Sequence, residues 1–377
     1  MSRARYPRRL PAVVLAGGLA LAVSACGDGG TTEGTLSAPS PSATAAQLNP
    51  NVNLSKQNLT VSIPPGYTPD DLAARVDEKL RVKLKVLSHD SNAAVMGKLT
   101  ADGGSDLDVA FVSGQYAQAL NKKGLLEPIH SELVPNLANL YPEAEDLAYD
   151  KGNAFSVPYI WGTTGICYRS DVLKTPPTSW NDLLSPPEEA RGKVTMMTAE
   201  RWLLLPAVKA IGTSINTKSE DDLVKVKEKL IEAKPNLLGY DDGTYGERLK
   251  SGEAVMAEAR DGGCPGREKD IKFVLPKEGS DLWVDTMVIL RSSKNKEAAH
   301  AFINFVLDPK IHAWAARSTS YKVPNKAAMD ALSPEVKRGD ASLQMSPSQL
   351  LAGESLTDLG EDTVRYTRLV TEVKAGK

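Results

Sequence analysis

From Leu59 onward the chain sets short apolar runs against stretches whose apolar residues recur with helical spacing. Leu59-Thr-Val-Ser-Ile63 predicts a strand. Thr68-Pro69-Asp70-Asp71 offers a capping threonine, a proline at the first helical position and an acid at the third. Leu72, Val76 and Leu80 then share one helix face. Val82, Leu84 and Val86 alternate as the next strand, and residues 91–99 predict a helix. Asp108-Val-Ala-Phe-Val112 reads as a buried strand that ends at Ser113-Gly114, with another helix running to Gly124. Strand-helix alternation of this kind predicts a parallel-rich α/β sheet with covering helices. Ligands of such sheets lie beyond the carboxyl ends of the strands, where Ser113 falls.

The pattern resumes after residue 190. Strands are predicted at 194–197, 253–260 and 283–289, and helices at 202–211 and 298–307. Ser219-Glu-Asp-Asp222 caps a helix with Leu223, Val226 and Leu230 on one face, and Pro235 stops it. The tail from Ser333 is charged and helical in pattern. Between the two halves lies Phe155-Ser-Val-Pro-Tyr-Ile-Trp-Gly-Thr-Thr-Gly-Ile-Cys-Tyr168. Pro158 lacks a backbone donor, which excludes an ordinary central strand. Gly162 and Gly165 allow a bend between two extended pieces. The segment reads either as a crossing between two lobes or as strand, turn and strand within one domain.

The N-terminus breaks the pattern. Arg3, Arg5, Arg8 and Arg9 precede an apolar run from Leu10 to Val23, the layout of an export signal and too short for a stable span. Val23-Ser-Ala-Cys26 resembles a bacterial lipoprotein box, with Cys26 the residue that receives lipid. Residues 1–25 are thus expected to be removed. Residues 26–58, rich in small and polar residues, read as a lipid-anchored disordered tether. The whole chain of 377 residues carries −2; without the four arginines of the signal it carries −6. A mildly acidic receptor suits a cationic ligand. No basic surplus points to nucleic acid.

Four motifs, in order, carry a family resemblance: Ser156-Val-Pro-Tyr-Ile-Trp-Gly-Thr-Thr164, Phe273-Val-Leu-Pro-Lys-Glu-Gly-Ser-Asp-Leu-Trp-Val-Asp-Thr-Met-Val-Ile289, Ala301-Phe-Ile-Asn-Phe-Val-Leu-Asp-Pro309, and Tyr321-Lys-Val-Pro-Asn325 followed by Leu332-Ser-Pro-Glu-Val336. The chain resembles the bacterial spermidine/putrescine-binding proteins, extracytoplasmic solute receptors of ABC importers, over roughly residues 58–377. The resemblance implies an α/β two-lobed periplasmic-binding-protein fold, type II-like, with a parallel-rich sheet in each lobe and hinge crossings. Lobe 1 is expected at 59–161 and 286–328, and lobe 2 at 162–285 and 329–377. It implies a monomer on the outer face of the cell membrane that hands a polyamine or related amine to ABC permease and ATPase subunits.

The resemblance also assigns the site. Trp283 and Asp285, two apart on a strand, and Tyr321 match cleft positions. A carboxylate holds an ammonium, and aromatic faces cover the methylenes or meet the cation. Tyr67 and Ser113 are kept. Other positions differ: Gly66, Ala199 and Trp202 stand where the family has acids, Arg260 replaces an aromatic wall residue, and Gln115 another aromatic. Losing one partner of a buried charged hydrogen bond costs ~2–5 kcal/mol. Three lost carboxylates at ~2 kcal/mol each come to ~6 kcal/mol, about four decades of affinity, which disfavours a long polyamine in the family's usual pose. Arg260 would repel a second cation, pair with an acidic group of the ligand, or form an internal ion pair with Asp285, Glu258 or Asp261. Asp241-Asp242 either replaces lost acids or forms a solvated turn.

The four histidines show no metal-ligand spacing, and no nucleophile stands beside a base, so neither cofactor, metal nor enzymatic activity is expected. The rival readings are the same fold binding a zwitterion or anion through Arg260, a surface sensor without transport, and a secreted enzyme. With Cys26 lipidated, Cys167 and Cys264 remain for a disulfide within lobe 2, the alternative being two buried thiols. Its loop of roughly 100 residues corresponds to ~4–5 kcal/mol of chain entropy. Mature protein is expected to partition with membranes through diacylglycerol on Cys26. Fractionation of a Cys26→Ala variant should find it released or unprocessed; unmodified full-length wild type in the cytosol would overturn the export reading.

Overall fold

A computed structural model of the chain describes residues 48–101, 106–265, 268–338, 343 and 345–376. Cys26 and most of the expected tether lie outside the described residues. Residues 48–377 form one compact unit. Two five-strand ladders organise it. β1 (Asn58–Ile63) pairs in parallel with β2 (Lys83–Ser88) and with β3 (Val109–Ser113). After a two-stranded hairpin of β4 (Asp146–Leu147) and β5 (Asp150–Lys151), β6 (Val157–Gly162) leads directly into β7 (Thr164–Arg169). β8 (Val194–Met196), β9 (Leu237–Tyr240), β10 (Met256–Arg260) and β11 (Ile271–Val274) join β7 in the second sheet, in the order β11-β7-β10-β8-β9. The chain returns in β12 (Asp281–Ile289), and β13 (Glu354–Ser355) completes the first sheet in the order β13-β12-β3-β1-β2. β6 flanks β12 on its other side.

The burial patterns explain the placements. All five residues of β3 are buried, as a strand covered on both faces requires. β2 lies at the sheet edge and exposes Lys83 and Lys85, charges that discourage pairing with another chain. β6 tolerates Pro158 because it too is an edge, and because the ladder slips there: Asp285 faces Ile160 while Thr286 faces Pro158, leaving Tyr159 as the extra residue of a bulge.

The sequence pattern and the structure differ at several points. The first helix starts at Leu72, not Pro69: the Pro69 carbonyl accepts from Leu72 N–H in a turn, and Asp71 pairs with Arg75. The return to the first sheet precedes the boundary expected at 285, since the whole of β12 from Asp281 belongs there. Gly162 and Gly165 adopt no positive φ. They are small because other atoms crowd them. A Cβ on Gly162 would lie 2.2 Å from the Trp283 ring and 2.5 Å from Asp261 Oδ1, and one on Gly165 would lie 2.5 Å from the Val274 carbonyl oxygen.

The tail ends against the second sheet's helices, with Thr363–Ala375 packed on Glu200–Ala210 and Glu220–Ala233. Cys167 of β7 is bonded to Cys264, 97 positions further along the chain, with Cα atoms 5.8 Å apart. The bond ties β7 to the turn that succeeds β10, within one sheet.

His312, in the helix Pro309–Thr319, is 1 % exposed. Its Nε2 lies 2.7 Å from the Tyr159 carbonyl oxygen, and its Nδ1 has no partner among the described residues. Burial pushes its pKa down from 6.5 to about 4. The unfolded chain thus takes a proton near 6.5 that the folded chain refuses until about 4. The stability is fully present above the upper value and falls as pH drops through the window, by ~3 kcal/mol for this residue. Burial of His89 and His300 acts in the same direction. Thermal melts across that range are expected to show a falling Tm, less steeply in His312→Gln. A Tm that stays level in the wild type would refute the assignment.

Candidate functional site

A cavity of about 590 Å³ opens where the carboxyl ends of the strands of both sheets meet. The first sheet's wall is made by the segments that leave β1, β2 and β3. Pro64 and Tyr67 come after β1, His89 to Ala93 after β2, and Ser113 ends β3 with Tyr116 a turn later. Asp285 comes from β12, directly opposite Ser113 in the ladder. Tyr67 Oη donates to Asp285 Oδ2 at 2.6 Å, and Ser113 Oγ donates to Oδ1 at 2.5 Å. Burial, then the charge of Asp285, raise the Tyr67 phenol well above its usual pKa, so it stays a donor. Asn92 fixes Ser113 in turn: its Nδ2 donates to Ser113 Oγ at 2.8 Å and its Oδ1 accepts from Ser113 N–H at 2.9 Å. The bulge residue Tyr159 donates its hydroxyl to the Tyr67 carbonyl. The carboxylate is therefore held by two neutral hydroxyls, and no cationic side chain among the described residues pairs with it.

The second sheet supplies the opposing wall. Thr198, Ala199, Glu200 and Trp202 come after β8, Asp242 after β9, and Arg260 ends β10. The Trp202 indole N–H donates to Asp281 Oδ2 at 2.8 Å, and the Arg260 guanidinium lies over the Trp202 ring, 5.0 Å from its centroid. None of the three acids near Arg260 in sequence or expected as its partner pairs with it. Asp261 pairs with Lys322, both buried. Asp285 takes the two hydroxyls. Glu258 is fully buried, accepts from Met197 N–H at 2.9 Å, and is pushed well above the usual carboxylate range by burial.

Trp283 and Tyr321 stand side by side at the junction, edge to face at 4.9 Å and 84°. Trp283 is 4 % exposed and rests on Gly162. The arrangement offers the Asp285 carboxylate flanked by aromatic faces and, across the cavity, the Arg260 cation, with Asp90, Glu200 and Asp242 also on the lining.

Trp283, Asp285, Tyr321, Tyr67, Ser113, Trp202 and Arg260 all line the cavity. Gln115 does not: it is buried, with its amide nitrogen unpartnered among the described residues, and Tyr116 occupies the wall instead. The helix Gly114–Lys122 turns ~100° per residue, and this phase sends residue 115 inward. Of the acidic pair, Asp241 is buried against Thr244, Gly243 N–H and Arg248, whereas Asp242 reaches the cavity and accepts from Thr198 and Ala199 N–H. Sequence reasoning missed His89, Asp90, Asn92 and Glu200. The first three come after β2, a predicted strand, so the rule that placed Ser113 applied equally to them.

Comparison with known proteins is consistent across sequence and structure. The model of the bacterial extracellular solute-binding protein family matches residues 71–343. A spermidine/putrescine-binding periplasmic protein of Salmonella typhimurium is 30% identical over 342 residues, 88% of this chain and 94% of that protein. The crystal structure of a spermidine/putrescine ABC transporter substrate-binding protein, PotD, from Streptococcus pneumoniae superposes with a TM-score of 0.74 at 26% identity, over 85% of this chain and 99% of that one. The PotD lipoprotein of Treponema pallidum does so with a TM-score of 0.74 at 25% identity, over 84% and 99%.

Gly162→Ala is expected to displace the Trp283 ring, because neither Trp283 nor Asp261 can retreat from a buried junction. Overpacking of this kind costs ~1–3 kcal/mol. The variant should melt earlier than the wild type and bind solute at least tenfold more weakly. Wild-type Tm and affinity together would show that the contact relaxes freely.

Proposed function

The chain belongs to the bacterial extracellular solute-binding proteins, in the spermidine/putrescine-binding family, and on that premise we propose that it captures a small amine-bearing solute for a polyamine-type ABC importer. The observation that carries the reading is Asp285. Its carboxylate is enclosed, oriented by Tyr67 and Ser113, and left with spare lone pairs and an unneutralised charge. An ammonium answers that need through charge-assisted hydrogen bonds. Trp283 and Tyr321 give the adjoining methylenes an apolar surface and the cation a π face.

Capture proceeds by closure of two lobes on the solute, with the loaded form presented to permease and ATPase subunits. The export signal and lipoprotein box support a protein exported and tethered by lipid on Cys26 to the outer face of the membrane, acting as a monomer. The cavity volume of about 590 Å³ lies within the ~300–1,000 Å³ usual for small-molecule sites.

Calorimetric titration with diamines, triamines and amino acids tests the reading. Asp285→Ala is expected to abolish binding of every amine that the wild type takes, with the melting curve retained. Trp283→Ala should weaken binding by ~1–3 kcal/mol through lost stacking and cation contact. Undiminished affinity in Asp285→Ala would move the amine site elsewhere.

A further inference from the structure

We infer that the solute is dipolar: an amino-carboxylate whose ammonium sits on Asp285 and whose carboxylate sits on Arg260. The inference rests on the amine-capture reading and adds what lies at the solute's other end.

Arg260 is the starting point. Its guanidinium makes no hydrogen bond or ion pair among the described residues, yet it is on the cavity wall and held against Trp202. The platform is itself fixed, since the Trp202 N–H is bonded to the buried Asp281. A guanidinium stays charged at any pH a folded protein meets, so burial cannot neutralise it. Closing the cavity over a diamine would shut this cation in beside a second ammonium, with like charges in a poorly screened space. Closing it over a carboxylate gives the planar fork the two-oxygen partner that it matches.

The acids on the same wall make no ion pair with Arg260 among the described residues. Asp242 is engaged by Thr198 and Ala199 N–H and the Thr198 hydroxyl, and Glu200 accepts from the Thr367 hydroxyl at 2.6 Å. The helix Glu200–Ala210 begins on this wall, and the N–H groups of its first three residues have no acceptor among the described residues. Their dipoles favour an anion at that end. Asp285 and Arg260, neither of them in an ion pair among the described residues, are thus of opposite sign and on opposite walls. Two of the positions where the resembling family has acids, Ala199 and Trp202, stand on the Arg260 wall and carry no charge here, as a solute whose far end is not cationic requires.

The test pairs probes of equal length: 1,4-diaminobutane against 4-aminobutanoate, and 1,5-diaminopentane against 5-aminopentanoate, titrated into the purified protein. The amino acid of a pair is expected to bind at least tenfold tighter than its diamine. Arg260→Gln should cost the amino acids at least tenfold and leave the diamines unchanged or tighter. Arg260→Lys, which keeps the charge, should retain part of the preference, and melting curves confirm that each variant is folded. Diamines that bind the wild type as tightly as the amino acids, and still depend on Asp285, would overturn the dipolar inference alone. Binding of no amine in either class would overturn it together with the amine-capture reading.

Discussion

Asp281 has no exposed surface, yet its carboxylate accepts from Thr164 N–H at 2.8 Å, Thr164 Oγ1 and Ser280 Oγ at 3.2 Å each, and Trp202 Nε1 at 2.8 Å. Its backbone carbonyl takes the Thr163 hydroxyl at 2.7 Å. Burial raises its pKa, and these donors oppose the shift. The residue opens β12 in the first sheet, while Thr164 opens β7 and Trp202 stands on the second sheet's wall. One carboxylate therefore sets how the two sheets meet, and through Trp202 it sets where Arg260 lies. Replacing it by a residue without acceptors would strand several buried donors at once, each at a cost of ~1–3 kcal/mol.

The remaining charges near the site are settled by that frame. Asp261 is matched to Lys322, and Glu258 is buried where neutrality is favoured. Asp241 is consumed by its own turn and Arg248. With these acids partnered internally, Asp285 and Arg260 face each other across the cavity with no ion pair among the described residues, Asp285 held by hydroxyls and Arg260 over the Trp202 ring. Specificity here is a matter of which charges the fold leaves without an ion pair, because a site group that lacks its partner discriminates against a solute that cannot supply one.

Much of this was legible in the sequence. Strands β1, β3, β8, β10 and β12 announce themselves by apolar or alternating runs, and Ser219 caps its helix as the pattern requires. Trp283 and Asp285 could be placed together because two-residue spacing fixes a strand face. What the sequence withheld depends on phase and on distant contact. Whether residue 115 or 116 reaches the cavity turns on the residue at which a helix begins. Whether Asp241 or Asp242 does so turns on which one closes the local turn. The glycines at 162 and 165 read as bends, and only the Trp283 ring and the Val274 carbonyl reveal them as spaces. Arg260 could not be told from an ion-paired arginine until the three acids within its reach were each seen with another partner.

The junction around Gly162 gathers β6, β12, Asp261, Lys322 and Trp283 within contact of one another, and Trp161 N–H donates to the Lys322 carbonyl beside them. A joint packed this closely has few arrangements open to it. The apparent affinity of a two-lobed receptor is its intrinsic affinity scaled by the fraction of molecules in the competent arrangement. A side chain at this joint that favours one arrangement thus changes how tightly solute is held without ever touching it. Retention strength and solute choice are then separately adjustable, the first by residues at the pivot and the second by residues on the cavity wall.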